Sequence, residues 1–217
     1  MTWTLTDKNG NTSYFDRLGR LYKQENNQKE KSSIQITYTA ADSYLISTIT
    51  DGAGRVYRFS YTDGLATRVG YYGSGTEEIT GVTLAHQDGE LTRITDADGE
   101  STLYVYDELP AGEENEDATE TVDTDTPAHF NSHVLTTVQD LDGYTLHYTY
   151  YAQSSTFAPA RVKSVSEKDG NVSGGILSIA YGQNQTVLTS GYLNGDGVYQ
   201  EESSLTYQFN SYGNVVS

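Results

Sequence analysis

Residues 45–68, LISTITDGAGRVYRFSYTDGLATR, contain the pattern that decides the fold. A polar stretch, Asp51-Gly52-Ala53-Gly54, separates two runs in which apolar and polar residues alternate. After it Tyr57, Phe59 and Tyr61 occupy every second position, which is the side-chain period of a half-buried strand. Glycine adopts positive φ without steric cost and aspartate hydrogen-bonds its own backbone in turns, so D-x-x-G favours a chain reversal. The stretch therefore predicts a β-hairpin with an aromatic face.

The same hairpin pattern occurs four times along the chain. An apolar residue precedes each aspartate by two positions, and an aromatic residue follows it by eight. The aspartates at 7, 51, 96 and 140 are separated by 44, 45 and 44 residues. The residues that define the repeat are Asp7, Gly10, Asp51, Gly54, Asp96, Gly99, Asp140 and Gly143. A fixed period of this size indicates a repeat architecture, in which each unit buries its face only against its neighbours.

Composition also favours β structure. Only 35% of the 217 residues are hydrophobic, while 19 are Tyr and 21 are Gly, and no window shows the apolar spacing of an amphipathic helix. Tyrosine packs as an apolar ring with a hydroxyl that needs a partner, which suits a sheet wet on one side. No connection is long and helical enough for a parallel crossover, so the sequence predicts about ten to fourteen strands, all antiparallel.

The charge disfavours several classes of partner. The formal net charge is −17, from 30 acidic and 13 basic residues, which repels nucleic acid and anionic lipid. The chain has no Cys, so it has neither disulfides nor thiolate catalysis. No apolar run approaches the roughly 18 residues of a membrane span, and no signal peptide is visible. We expect a piece excised from a longer protein.

One segment interrupts the pattern. Residues 107–126 contain nine acidic residues and no Lys or Arg, a composition that lacks the apolar content to pack. The sequence therefore predicts three parts: repeat hairpins over 1–106, an acidic insertion that forms a flexible loop over 107–133, and hairpins over 134–217 that continue the same sheet.

Two further turns carry a family resemblance. Residues 15–21, FDRLGRL, lead from one strand to the next, and residues 209–215, FNSYGNV, are a near copy with Asn210 in place of the aspartate. This motif, alternating with D-x-x-G-x-x-x-x-Y-x-Y, resembles the YD repeat of bacterial Rhs proteins, of toxin-complex shell subunits and of teneurins. The resemblance covers most of 3–106 and 134–217.

The resemblance implies a structural function. It implies an all-β fold in which antiparallel hairpins form a long curved sheet, an open segment of a shell or scaffold that encloses or presents a toxin or effector region. It also implies a secreted or cell-surface location and a partner in the remainder of the same polypeptide. The self-cleavage segment of Rhs shells has no counterpart in this sequence, so that activity is not carried over.

Catalytic and metal sites are not predicted. Two stretches, Asp96-x-Asp98-Gly99 and Asp140-x-Asp142-Gly143, superficially resemble the start of a calcium loop, but the flanking residues alternate as strands, so a plain turn is favoured. His129 and His133 have no third ligand in register for zinc. We find no G-x-S-x-G elbow and no identifiable Ser-His-Asp set. The sequence therefore predicts no enzyme activity, no cofactor and no metal. The alternative of an enzyme that acts on polysaccharide would need a cleft with two opposed carboxylates.

Aromatic side chains outside the repeat positions support an alternative function. Tyr71, Tyr72 and Tyr192 lie near glycines and are expected in loops, where binding residues tend to occur. With Trp3 they could form a platform on which sugar rings stack. The alternative is therefore a module that binds carbohydrate or a cell-surface partner, with Trp3, Tyr71, Tyr72 and Tyr192 as its ligand-facing residues.

Overall fold

The computed structural model describes residues 2–28, 32–109, 133–152 and 160–216. Within these ranges all regular structure is β, every paired strand is antiparallel, and no helix occurs. The predicted all-β fold of antiparallel hairpins is therefore confirmed. No helix in the described part of the chain is a candidate to cross a membrane.

The chain divides into two compact units, and the boundary falls just inside the tenth strand. In each unit, consecutive strands pair as a meander. The first unit, Met1–Ser101, contains β1 (Trp3–Thr6), β2 (Thr12–Phe15), β3 (Leu21–Glu25), β4 (Ser33–Tyr38), β5 (Ile46–Thr50), β6 (Val56–Thr62), β7 (Leu65–Tyr71), β8 (Thr80–Gln87) and β9 (Glu90–Thr95). The second, Thr102–Ser217, contains β10 (Ser101–Glu108), β11 (His133–Gln139), β12 (Tyr144–Tyr150), β13 (Val162–Asp169), β14 (Val172–Tyr181), β15 (Gln185–Leu193) and β16 (Tyr199–Gln208).

The expected strand number is too low, since the described residues alone form sixteen strands. Tight turns explain the difference, because they use little of the chain. Asp63 and Gly64, both at positive φ, connect β6 to β7, as two-residue hairpin turns with a right-handed twist require.

The predicted insertion over 107–133 lies mostly outside the described residues: β10 ends at Glu108 and β11 begins at His133.

The two faces of the first unit differ in chemistry. In β6, Tyr57, Phe59 and Tyr61 alternate with Arg58 and Ser60, so the rings lie on one face and the polar groups on the other. We call these the aromatic face and the polar face. On the aromatic face Phe59 lies opposite Val69, which lies opposite Val82. On the polar face Thr37 lies opposite Thr48, and their hydroxyl oxygens are 2.7 Å apart.

Neither unit has a conventional core. Described strands contact only their neighbours in the chain, so each unit is a single layer of sheet. Val134, 8% exposed, is the one buried hydrophobic side chain among the described residues. Most strand side chains are half-buried, because each ring lies on the adjacent strand rather than under a second layer. The stability of the fold must therefore come from contacts between adjacent strands.

Candidate functional site

Seven turns share one hydrogen-bond geometry. In each, Oδ1 of the first residue accepts the backbone N–H groups of the second and fourth residues after it, at N···O distances of 2.8–3.1 Å. The fourth residue of each turn is a glycine at φ between +74° and +87°. The first residues are Asp7, Asp16, Asp51, Asp96, Asp140, Asn194 and Asn210. This is a three-residue hairpin loop whose last residue is left-handed, a conformation that favours glycine.

The turns account for the repeat-defining aspartates. Hydrogen bonds from Asn11, first its side chain and then its backbone, lower the pKa of Asp7, and backbone N–H donors, Arg55 first, lower that of Asp51. At Asp96 and Asp140, the candidates for a calcium loop, Oδ1 is occupied in the same way. Within the described ranges no group of three or more His, Asp or Glu side chains could hold a metal ion. His129 lies outside these residues.

Three tyrosines at equivalent positions form the same hydrogen bond between two adjacent strands. The hydroxyls of Tyr38, Tyr61 and Tyr150 donate to the carbonyl oxygens of Leu21, Ile46 and Leu135 on the preceding strand, at 2.7, 2.8 and 2.7 Å. Burial raises the pKa of all three phenols, so they remain protonated donors. A shift in strand register immediately precedes each of them. Such bulges redirect a side chain, and here they coincide with the bonded tyrosine.

The sequence period missed Tyr38 because its turn is two residues longer. Asn26 Oδ1 accepts the N–H of Gln28 at 3.3 Å and that of Ser32, six positions later, at 3.1 Å. The tyrosine therefore follows Asn26 by twelve positions, whereas Tyr61 follows Asp51 by ten. Two features of the sequence could have identified Tyr38: the asparagine that begins the turn and the tyrosine that follows it by two extra positions.

Arg20 contacts four residues of the first unit through its guanidinium. Its Nε and Nη2 each lie 2.7 Å from Asp16 Oδ2, and its Cζ lies 4.3 Å from the centre of the Tyr38 ring. Its Nη1 donates to the carbonyl oxygens of Ala40, at 3.2 Å, and Ser43. Partial desolvation is the largest single influence on Asp16 and raises its pKa, but the hydrogen bonds from the Arg20 side chain and from the backbone N–H groups of Arg20 and Leu18 together outweigh it, so the pKa is lowered. Arg20 thus connects the β2–β3 turn to the β4–β5 connection.

Tyr71 and Tyr72 do not share a binding surface. The Tyr71 ring lies 5.2 Å from that of Tyr57 on the aromatic face. The Tyr72 ring lies 4.3 Å from Arg58 Cζ, on the polar face, and its hydroxyl donates to Glu78 Oε2 at 3.1 Å. These two predicted ligand-facing rings therefore contact opposite faces of the sheet.

Glu78 completes a polar cluster around Tyr72. Arg68 donates from Nε to both Glu78 carboxylate oxygens, at 3.0 and 3.2 Å, and this bond is the main cause of the lowered Glu78 pKa. A Cβ on Gly70 would lie 2.6 Å from Glu78 Oε2 and 3.0 Å from Tyr72 Cε2. The glycine thus leaves the space in which the carboxylate and ring lie over the polar face.

The remaining candidate aromatics lie elsewhere. Trp3 is 47% exposed on β1, six strands from Tyr71 on β7, or about 29 Å at ~4.8 Å per strand. Tyr192 belongs to the second unit.

The expectation that Tyr71 and Tyr192 lie in loops is wrong, because β7 and β15 include them. The neighbouring Gly70 and Gly191 continue their strands opposite Gly81 and Ile176.

Comparison with known proteins identifies no family. No family model matches the chain, and no curated protein matches it. Among solved structures, a porin-like protein from Bacteroides uniformis is 13% identical with a TM-score of 0.44, covering 94% of this chain and 93% of that chain.

Two toxin-complex structures are also similar. A chain of the TcdB2-TccC3-Cdc42 crystal structure is 14% identical with a TM-score of 0.44, and a chain of TcdB2-TccC3 is 11% identical with a TM-score of 0.37. Each match covers 98% of this chain but only 12% and 17%, respectively, of the other. With all three TM-scores below 0.5, the function of this chain must be inferred from its own residues.

Proposed function

We propose that this chain is a structural segment of a YD-repeat, Rhs-like protein and contributes to the wall of a β-shell or scaffold. The observation that carries the proposal is the repeated unit: one turn geometry at seven positions, and the same tyrosine-to-carbonyl bond in three hairpins. A unit that is stabilised by its neighbours can be added many times without a new core. That property suits a wall whose size depends on the number of repeats.

The side-chain chemistry supports a structural rather than a catalytic role. Several aspartate and tyrosine groups that could take part in chemistry are already bonded to backbone groups of turns and adjacent strands. In this proposal the chain is not an enzyme, and the protein that contains it is secreted or displayed at the cell surface. Its main partner is the remainder of that polypeptide.

The single-layer sheet also suits the enclosure of a toxin or effector region. Both faces of a single layer remain available, one for the exterior and one for the enclosed chain. Exposed tyrosine hydroxyls, threonines and serines offer hydrogen bonds without a deep apolar groove in which an unfolded segment would be trapped.

Protease protection in the full-length polypeptide tests this function. We expect the effector region to resist digestion in the wild-type protein and to be cleaved in Gly54→Val and Gly143→Val variants. A β-branched residue is strongly disfavoured at the φ values of +78° and +86° found at these turns. Gly195→Ala is the control, because an added Cβ there meets no atom within 4 Å and φ is not positive. Equally rapid cleavage of the effector region in wild type and turn variants would refute enclosure.

Carbohydrate binding is a second candidate function. A glycan array with the chain and with Tyr71→Ala and Tyr192→Ala variants tests the original aromatic candidates: binding lost in either variant would support them. The observation that most favours glycan binding lies at other residues, in the second unit.

A further inference from the structure

Two cations of the second unit rest on exposed tyrosine rings. Arg161 Cζ lies 5.4 Å from the centre of the Tyr181 ring, and Lys163 Nζ lies 6.0 Å from that of Tyr151. The two rings are 6.0 Å apart at 73°, an edge-to-face arrangement. The Tyr151 hydroxyl donates to the Ile179 carbonyl oxygen at 2.9 Å, which fixes the ring. The rings are 38% and 39% exposed, so ligands can reach this cluster.

Neither cation is paired with a carboxylate of the described residues. Within the described residues, neither Arg161 nor Lys163 forms a salt bridge, whereas Arg20, Lys23, Arg55 and Arg68 of the first unit all do. The second unit, residues 102–217, has 16 acidic and three basic residues, a net charge of −13. Two of its three cations therefore lie within three residues of each other, beside the same pair of rings.

A shallow depression of about 240 Å³ lies beside the cluster. Tyr151 and Lys163 form part of its wall, together with the apolar Ile176, Ile179 and Ala180. Three hydroxyl residues, Ser164, Ser178 and Thr189, complete the lining. These three hydroxyl residues lie directly opposite one another on β13, β14 and β15, and so form a row across the sheet. The row continues to Thr149 on β12, whose hydroxyl oxygen lies 2.7 Å from that of Ser164.

We propose that this depression binds a sugar unit that carries a carboxylate, within an otherwise neutral glycan. The carboxylate pairs with Lys163 and Arg161, the sugar ring contacts the exposed face of Tyr151, and the Ser/Thr row bonds the sugar hydroxyls. Cations ordered on aromatic rings lose less rotamer entropy on binding than free side chains do. This site is independent of the proposed wall function.

The arrangement favours a sugar over an acidic peptide or a dense polyanion. An acidic peptide would pair with the two cations, but it would gain little from the row of hydroxyl groups and from the exposed tyrosine ring beside it. A polyanion with a charge on every unit is repelled by the net charge of −13 that the second unit carries. A single carboxylate on a hydroxyl-rich ring matches two cations beside hydroxyl donors and acceptors.

Binding of sodium glucuronate, followed by NMR titration of the full chain, tests the proposal. We expect saturable shifts at Tyr151, Lys163, Ser178 and Tyr181, with a Kd of about 1 mM for a ligand of this size. Lys163→Gln and Arg161→Gln should each weaken binding about fivefold, the upper range for a partly exposed ion pair. Methyl glucoside, which lacks the carboxylate, and glutarate, which lacks the sugar ring, should each bind more weakly than glucuronate.

Lys168→Gln is the matched control. It removes the same charge from the same strand, β13, but Lys168 does not line the depression. We expect its affinity for glucuronate to equal that of the wild type. Equal losses in Lys168→Gln and Lys163→Gln, glutarate binding as tight as that of glucuronate, or an absence of saturable shifts would each overturn the assignment. Unfolding curves for each variant separate loss of binding from loss of fold.

Discussion

Two turns of the first unit share the sequence D-x-x-G-R but use its arginine differently. In the β2–β3 turn Arg20 Nε lies 2.7 Å from Asp16 Oδ2, and in the β5–β6 turn Arg55 Nε lies 2.6 Å from Asp51 Oδ2. Yet the Arg20 side chain is 9% exposed and that of Arg55 is 55% exposed. The motif therefore determines the turn and its ion pair, while the surroundings decide whether the arginine also holds other strands.

The difference arises in the connection that lies beside each turn. Next to Arg20 the β4–β5 connection curls back, with the Ser43 N–H donating to the Ala40 carbonyl at 3.2 Å. This loop presents two carbonyl oxygens to the guanidinium, and Tyr38 offers its ring. Arginine has five donors in a planar fork, so it can bond a carboxylate and two carbonyls together. Among the described residues, the Arg55 guanidinium forms its ion pair with Asp51 alone.

Replacement of the two arginines should give the largest contrast. Arg20→Ala removes a paired guanidinium, a ring contact and two carbonyl bonds, so we expect a loss of about 2 to 3 kcal/mol in the free energy of unfolding. For Arg55→Ala we expect no change beyond experimental error, since an exposed pair contributes little. Urea unfolding of the two variants, followed by circular dichroism, measures both effects.

Hydrogen exchange locates the Arg20 effect. Amides of β2 to β5 should lose protection in Arg20→Ala, and those of β6 to β9 should not. Among the described residues, the guanidinium bonds of Arg20 lie in the β2–β3 turn, β4 and the β4–β5 connection. Comparable destabilisation by both substitutions would show that the ion pair, not the wider contact set, is the important interaction.

Glycine substitutions should instead give equal effects in the two turns. Gly19 and Gly54 have φ of +77° and +78°, and an added Cβ at either meets nothing within 4 Å. Only the backbone cost of a left-handed alanine remains, about 1 kcal/mol for Gly19→Ala and for Gly54→Ala. Thermal unfolding checks this, with Gly195→Ala as the neutral control. A much larger loss at Gly19 would mean that the turns differ in their backbones as well.

The hairpins were predictable because their determinants are local. D-x-x-G predicts the turn, and the aromatic residues at every second position predict the strand and the face that it buries. β1 and the Asp140 hairpin occur where the sequence predicts them. The register shifts before Tyr61 and Tyr150 could not be predicted, since a bulge depends on how two strands twist together. The first half of the polar strand β16, Tyr199 to Ser204, could not be predicted either, because both its faces are exposed and no apolar alternation marks it.

The candidate sites were less predictable because they depend on contacts across strands. Tyr71 and Tyr72 are adjacent in sequence, and neighbouring residues of a strand project to opposite faces. Conversely, Tyr151 and Tyr181 are thirty positions apart and meet only through the pairing of β12, β13 and β14. Arg20 is part of a visible motif, but its bonds to Ala40 and Ser43 depend on the path of a loop twenty residues later.

The smallest expected contrast is in acid titration. The folded pKa values of Asp16 and Asp51 are both lowered from the ordinary value of 3.8, so each carboxylate stabilises the fold above about pH 4. That stabilisation is lost as the pH falls through the lowered pKa.

At Asp16 the side chain of Arg20 is the strongest of the lowering influences, whereas at Asp51 the backbone N–H of residue 55 comes first. In Arg20→Ala the pKa of Asp16 should therefore rise, since the strongest of its lowering influences is removed. In Arg55→Ala the pKa of Asp51 should rise less, because alanine retains the backbone N–H that is the strongest lowering influence there. Carboxyl ¹³C titration by NMR distinguishes the two, and an equal rise at both aspartates would contradict the difference between side-chain and backbone control.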